Sequence, residues 1–291
     1  MSPKASVIMP NYNKGEHLKW AIKSVLSQTI YDIELVIVDD SSNDSSLAVI
    51  EEFRKDDSRI LLRANTENLG PAACLNVGLR ASSAGIVTFL GSDDLFSKDR
   101  IERQLQIINK HENEVVVYSD PITIDSNLSS IDSIATNRSF RPSGWIFPYL
   151  IAERFSFHGA VTGLSRASFE KVGFFDESLR WGEDLEMCLR LAKVYEFSYD
   201  PVATYGYRRH VGNTIQRISR ADRYRYQSQI IEKHLFANFD DLDTQTKGFA
   251  LDGLFSSYVA SGQWGKVLER GFSSRVGLMS LMKLPLRAAF S

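Results

Sequence analysis

Apolar residues follow two rhythms in this chain, short unbroken runs and helical repeats, and the two alternate. The runs are Ala5–Met9, Ile33–Val38, Arg59–Arg63, Ile86–Leu90, Val115–Asp120 and Pro201–Tyr207. Between the first five lie Leu18, Ala21, Ile22, Val25 and Leu26, then Leu47, Ile50 and Phe53, then Ala72, Ala73, Leu75 and Leu79, then Ile101, Leu105 and Ile108, all at helical spacing. A run with no polar alternation predicts a strand covered on both faces, and strands that alternate with helices predict a doubly wound, mostly parallel α/β sheet. Pro71 suits the first turn of its helix, where a missing N–H costs nothing. No Gly-x-Gly-x-x-Gly follows the first strand, so the dinucleotide fingerprint is absent.

The rhythm breaks between Leu128 and Phe157, where Pro142, Gly144, Trp145 and Pro148 punctuate polar sequence. A loop of that length inside a compact domain usually has a job. His158–Gly163 is expected to re-enter the core, and a helix with Leu185, Cys188, Leu189, Leu191 and Ala192 apolar follows Trp181. After Ser219 no strand signal remains. Segments 220–239, 246–261 and 264–290 read as helices, so the chain is expected to divide into an α/β domain over 1–218 and a helical region over 219–291. The last segment carries Val276, Leu278, Met279, Leu281 and Met282 among Arg270, Arg275, Lys283 and Arg287. Such a stretch either docks on the domain or lies on anionic lipid.

Composition narrows the partners. Of 291 residues 43% are hydrophobic and 24% charged, with a formal net charge of -2, a balance that gives no reason for a nucleic-acid partner. Cys74 and Cys188 have neither zinc nor Cys-x-x-Cys spacing and suit buried thiols in a reducing cytoplasm. The chain runs from Met1 into a strand with no room for a secretory signal. It has no apolar run of the roughly 18 residues that a membrane span needs. A cytoplasmic protein is expected, attached at most to the inner membrane surface through its C-terminal helices.

Three acidic pairs fall at comparable places: Asp39-Asp40 and Asp93-Asp94 just after strands, and Glu183-Asp184 at a helix start. Each has a plain structural explanation, as caps or as partners of a helix dipole. Gathered at one sheet edge, however, like charges repel unless a cation is present. Carboxylates favour Mg²⁺ or Mn²⁺, which bridge protein to substrate phosphate, and an imidazole from His210 would tilt the choice towards Mn²⁺. Arg209 and His210, ahead of Gly212-Asn213, suit the clamping of a diphosphate, and Trp181 or Trp145 could stack on a sugar ring.

The run Val7-Ile8-Met9-Pro10-Asn11-Tyr12-Asn13, the segments Asp39-Asp40-Ser41-Ser42 and Asn68-Leu69-Gly70, the strand end Gly91-Ser92-Asp93-Asp94, the pair Glu183-Asp184 and the ending Tyr207-Arg208-Arg209-His210 together resemble the family-2 glycosyltransferases of GT-A fold. The likeness covers roughly residues 4 to 217. It implies an inverting transfer of a sugar from a nucleoside diphosphate, UDP or dTDP, to a hydroxyl of a saccharide or lipid-linked acceptor in bacterial surface polysaccharide assembly. It also implies a nucleotide-binding half over 1–120 and an acceptor-binding half over 121–218. By the same likeness Pro10, Asn11, Tyr12, Asp39, Asp40, Ser92 and Asp93 would hold the nucleotide, and Asp93 and His210 the metal. Asp184 would be the general base, Glu183 would share catalysis or bind acceptor, and Trp181 and Arg209 would bind sugar or acceptor. Gly91 stands where the family's Asp-x-Asp motif begins with aspartate, which puts ribose contact there in question and leaves Ser92 or Asp94 to compensate. Two rivals remain open: a metal-dependent nucleotidyltransferase, for which Pro10–Gly15 is a poor phosphate loop, and a non-catalytic sugar- or nucleotide-binding module.

Overall fold

The computed structural model describes residues 2–125, 130–133, 140–153, 162–210, 212–213 and 218–273. Strands β1 (Ala5–Asn11), β2 (Ile33–Asp39), β3 (Ile60–Ala64) and β4 (Ile86–Phe89) alternate with helices α1 (Gly15–Leu26), α2 (Ser46–Asp56) and α3 (Pro71–Ala81). The four strands lie in the order β3-β2-β1-β4, all parallel. Val7, Ile8 and Met9 of β1 and Leu35 to Val38 of β2 are fully buried, as the unbroken runs predict. On one face Val36 and Val38 pack against Cys74 of α3, with Leu61, Val77 and Ala81 around them. Burying each such side chain contributes about 1.5–3 kcal/mol. On α2 Ile50 is buried but Leu47 is exposed.

The register of β1 on β2 sets Asn11 opposite Asp39, and Ile8 of β1 lies opposite Phe89 of β4. Parallel direction therefore sends the carboxyl ends of β2, β1 and β4 to one edge.

Past β4 the sheet changes hand of pairing. β5 (Leu95–Phe96) and α4 (Arg100–Lys110) lead to β6 (Val115–Ile124), and β7 (Ser130–Ser133) pairs antiparallel with β6. The five-residue helix α5 (Phe147–Ile151) precedes β8 (Gly163–Ser165), which lies antiparallel between β4 and β6. α6 (Ala167–Val172) and α7 (Glu183–Ala192) follow, and β9 (Glu196–Arg208) runs parallel to β6. The doubly wound, parallel arrangement thus holds for β3-β2-β1-β4 and for β6-β9, while β5, β7 and β8 enter antiparallel. Strand direction depends on which neighbour a run meets, which an apolar pattern does not encode. β6 runs on past Ser119 through a register shift and resumes with Pro121 opposite Tyr205.

The two-residue β5 has no signature in the sequence, yet it matters most for the site. It pairs with β9 through Leu95 opposite Gly206 and Phe96 opposite Tyr205. The turn leaving β4 is thereby delivered to the end of β9.

Contacts group the chain into two compact units, Met1–Ile146 with Phe157–His210, and Phe147–Ser156 with Val211–Ser291. The second contains α5, α8 (Arg220–Ala237), α9 (Thr244–Ala260) and α10 (Trp264–Ser273). Ser219 caps α8 by accepting from the Asp222 N–H, and Asp243 caps α9 by accepting from that of Thr246. Ile230, Ile231 and Leu235 of α8 and Leu251, Leu254 and Phe255 of α9 are buried. Among the described residues no helix is long and apolar enough to cross a membrane. The expected re-entry at 158–161 and the basic apolar stretch beyond Ser273 lie outside the described residues.

Candidate active site

At the ends of β1 and β2, Asn11 donates from Nδ2 to Asp39 Oδ2 at 2.7 Å and to Ser42 Oγ at 3.3 Å. The Ser42 N–H donates to Asp39 Oδ1 at 2.9 Å, and Asp39 has no exposed surface. Asn11 Oδ1 is buried and finds no donor among the described residues. Asp40 faces the other way. Its Oδ1 accepts from Asn65 Nδ2 at 2.8 Å and the Leu69 N–H at 2.9 Å, and its Oδ2 accepts from the Gly70 N–H at 2.9 Å. A buried carboxylate is tolerable when its oxygens are supplied this way, and here it ties down the turn that starts α3. Pro10 is half-buried and Tyr12 exposed beside this edge.

The two aspartates after β4 have opposite fates. Asp94 turns inward, accepting from the Tyr205 hydroxyl at 2.6 Å and from the Arg208 N–H at 2.8 Å. Burial, with the charge of Asp93 beside it, pushes the Asp94 carboxyl well above the usual range. The Gly91 N–H donates to that same Tyr205 hydroxyl at 3.1 Å. A Cβ on Gly91 would lie 2.8 Å from Asp94 Oδ2 and 3.2 Å from Asp93 Oδ1. Glycine at the first place of the acidic motif is therefore the residue that lets both carboxylates fold over the turn, and Asp94 is not turned out to compensate for it. Ser92 is buried in the same turn.

Asp93 turns the other way. Its Oδ2 lies 2.7 Å from Lys14 Nζ and 2.9 Å from His210 Nε2, and Arg208 Nε donates to its main-chain oxygen at 2.7 Å. Burial alone would raise this carboxyl. The hydrogen bond with His210 and the Lys14 ammonium outweigh it and hold Asp93 well below the usual carboxylate range. His17, in the first turn of α1, sets its ring edge-on to His210 at 4.3 Å between centroids. Burial first, then the charges of His210 and Arg208, lower the His17 pKa.

Lys14, His17 and Tyr205 escape sequence reasoning, and Arg208 stands in the quoted ending before His210 without a role of its own. Lys14 and His17 follow the Pro10–Asn13 run at helical spacing, which is the only hint they leave. Of the consecutive arginines, the buried Arg208 engages the acidic turn, while Arg209 is exposed and its N–H donates to the Ile124 main-chain oxygen.

A second acidic group heads α7. Gly182 precedes it with φ 82°, and Asp184 Oδ1 accepts from the Leu185 N–H at 2.8 Å. Burial, then the neighbouring charge of Asp184, pushes Glu183 up to about 7. Trp181, just ahead, is half-buried, whereas Trp145 is exposed. Asn76 of α3 holds the approach to this helix, donating to the Phe175 main-chain oxygen at 2.9 Å and accepting from the Phe175 N–H at 2.9 Å. Both cysteines are buried, with thiols pushed up chiefly by burial.

Asn11, Asp39, Lys14, Asp93 and His210 thus lie along one sheet edge, and Glu183 and Asp184 open α7 just after Trp181. Among the described residues no three His, Cys, Asp or Glu side chains are grouped to hold a metal ion. Asp93 and His210 are a pair, and one carboxylate with one imidazole fits an ion such as Mn²⁺ or Mg²⁺ that takes its remaining ligands from water and substrate phosphate.

The model of the Glycosyl transferase family 2 matches residues 6–181, more than half of the chain, ending two residues before Glu183. An uncharacterized glycosyltransferase of Rickettsia prowazekii is 29% identical over 217 residues, 73% of this chain and 66% of the relative. The minor teichoic acid biosynthesis protein GgaB of Bacillus subtilis is 26% identical over 230 residues, 78% of this chain and 25% of the relative. The chain therefore spans less than two thirds of the length of both. Among solved structures, S. aureus TarS 1-349 in complex with UDP-GlcNAc superposes with a TM-score of 0.64 at 22% identity, covering 91% of this chain and 75% of that one. A mannosyltransferase from Pyrobaculum calidifontis in complex with GDP-Man and Mn²⁺ does so at 0.61 and 17%, covering 99% and 78%. These two likenesses carry the GT-A fold.

Proposed function

The chain belongs to glycosyl transferase family 2, and we propose from that premise that it moves a sugar from a nucleoside diphosphate, UDP most readily, to a hydroxyl of a saccharide or lipid-linked acceptor, inverting the anomeric centre. The observation that carries this reading is the Asp93–His210 pair standing after β4, on the edge where Asn11 and Asp39 end β1 and β2. Ligands of open α/β sheets bind at such an edge. The buried Asn11 Oδ1, which finds no donor among the described residues, the Asp39 beside it, and Pro10 and Tyr12 suit a nucleobase and ribose, with Ser92 shaping the turn beneath and Asp40, committed to the turn before α3, holding that edge from behind. Residues 1–120 would bind the donor, 121–218 the acceptor, and 219–291 form the helical appendage.

Asp93 and His210 would hold Mn²⁺ or Mg²⁺, which supplies offset for the charge that builds on the departing diphosphate. Asp184 takes the proton from the acceptor hydroxyl, and Glu183, with a pKa near neutrality, holds the acceptor or passes that proton on. Trp181 offers a face to the sugar and Arg209 an exposed cation near the strand end. Support for the donor comes from the UDP-GlcNAc held by TarS, for the metal from the Mn²⁺ of the mannosyltransferase, and for a cell-surface polymer as acceptor from the name of GgaB. A cytoplasmic site of action, with donor and acceptor met at the inner membrane face, belongs to the same reading.

Calorimetric titration with UDP and Mn²⁺ tests it. Asp93→Ala is expected to lose Mn²⁺-dependent nucleotide binding, and Asp184→Asn to keep that binding while losing transfer. Unchanged nucleotide binding in Asp93→Ala would remove the sheet edge from contention.

A further inference from the structure

The proposed reaction gives no task to the ammonium of Lys14, which lies at its centre. Its main chain is pinned. Asn13 sits in the left-handed region at φ 53°, its N–H donates to Ser42 Oγ at 2.9 Å, and its Oδ1 accepts from the Asn43 N–H at 2.9 Å. The Gly15 N–H donates to Asp44 Oδ2 at 2.9 Å, and a Cβ on Gly15 would run into Ser45 Oγ. The loop after β1 is in this way stapled to the loop after β2. The Lys14 side chain, 11% exposed, crosses to the end of β4 and meets Asp93 Oδ2 at 2.7 Å.

The same oxygen stands 2.9 Å from His210 Nε2. A carboxylate oxygen has two lone pairs, so Lys14 and His210 between them saturate it. A divalent ion shared by Asp93 and His210 would compete with the Lys14 ammonium for that oxygen, because two cations drawn to one carboxylate oxygen repel each other.

We infer that Lys14 is a built-in counterion which a divalent metal displaces from Asp93, and that the diphosphate arriving with the metal is the displaced ammonium's new partner. The inference rests on Asp93 and His210 being the metal ligands. Its consequence is synergy. Metal alone binds weakly because it must evict Lys14 from Asp93 without a diphosphate to offset the cost, and nucleotide alone leaves the ammonium on Asp93. Together each tightens the other, by the same factor in both directions.

Titration with Mn²⁺, read from the electron paramagnetic resonance signal of the free ion with and without UDP, separates the possibilities. Lys14→Met keeps the length and removes the charge. It is expected to bind Mn²⁺ alone about tenfold more tightly than the natural chain and Mn²⁺ with UDP about tenfold more weakly. Lys14→Arg keeps a cation there and is expected to retain most of the synergy. If Lys14→Met does not fold, Lys14→Gln is read against the same outcomes. Unaltered affinity for Mn²⁺ alone in the charge-deleted variant, with Asp93→Asn losing the ion, overturns the inference and leaves the metal site standing. Undiminished Mn²⁺ binding by Asp93→Asn overturns the metal site and the inference with it.

Discussion

The acidic groups of the sheet edge and those at the head of α7 differ in what surrounds them, and the difference suits one set to binding and the other to proton transfer. Asp93 is met by an ammonium and an imidazole, and its charge is held far below neutrality. Asp39 and Asp40 are met by amides and main-chain N–H groups. Glu183 is met by burial and by the like charge of Asp184, which places its titration at about 7. A carboxylate with a fixed charge is suited to hold a cation or a nucleotide. One that titrates near neutral pH is suited to trade a proton with a hydroxyl.

If that division holds, the largest effect on turnover lies at the head of α7, where Asp184→Asn, which removes the proposed base beside Glu183, is expected to lose about 10²–10⁴-fold. It should also lower the Glu183 pKa from about 7 without returning it to the ordinary range, because burial, the larger cause, remains. The acidic limb of a pH–rate profile, or carboxyl shifts by NMR, reads this; a Glu183 titration that does not move would break the contrast.

The second effect is on stability. The Glu183 pKa is raised on folding, so its contribution is complete below about 4.5 and is lost as pH rises through about 7. Glu183→Gln removes that loss. Thermal melts should find the variant equal to the natural chain near pH 4.5 and more stable at pH 8, by on the order of 3 kcal/mol. Equal stability at both pH values would show that Glu183 is not strained by its surroundings.

Smallest is the effect at the support beneath the sheet edge. Tyr205→Phe deletes the hydroxyl that donates to Asp94 and accepts from the Gly91 N–H, at a cost of about 1–3 kcal/mol for buried groups left unpaired. Gly91→Ala should cost a similar amount by pressing a methyl on Asp94 Oδ2. Chemical denaturation measures both, and two neutral substitutions would mean that Asp93 is placed by other means.

Local pattern made the first half of the fold legible. β1, β2 and β4 are unbroken apolar runs because both faces of each are covered, and each stops at Asn, Asp or Gly because the edge beyond is polar. The same pattern could not tell Asp93 from Asp94, or Arg208 from Arg209. Adjacent residues of one type look alike in a sequence and are separated only by which partner each finds.

What the chain determines by itself is therefore most of its long elements, β1 to β4, β6, β9 and the helices between the first five, and the acidic residues at strand ends, since these rest on neighbours a few residues apart, and with them the ordered motifs that mark its family. Tertiary structure decided the rest. His210 reaches Asp93 from 117 residues away because β5, two residues long, carries the turn after β4 to the end of β9. Lys14 reaches the same oxygen because β1 and β4 are parallel neighbours. Strand order and direction come from how whole faces pack, and no stretch of sequence contains that information locally.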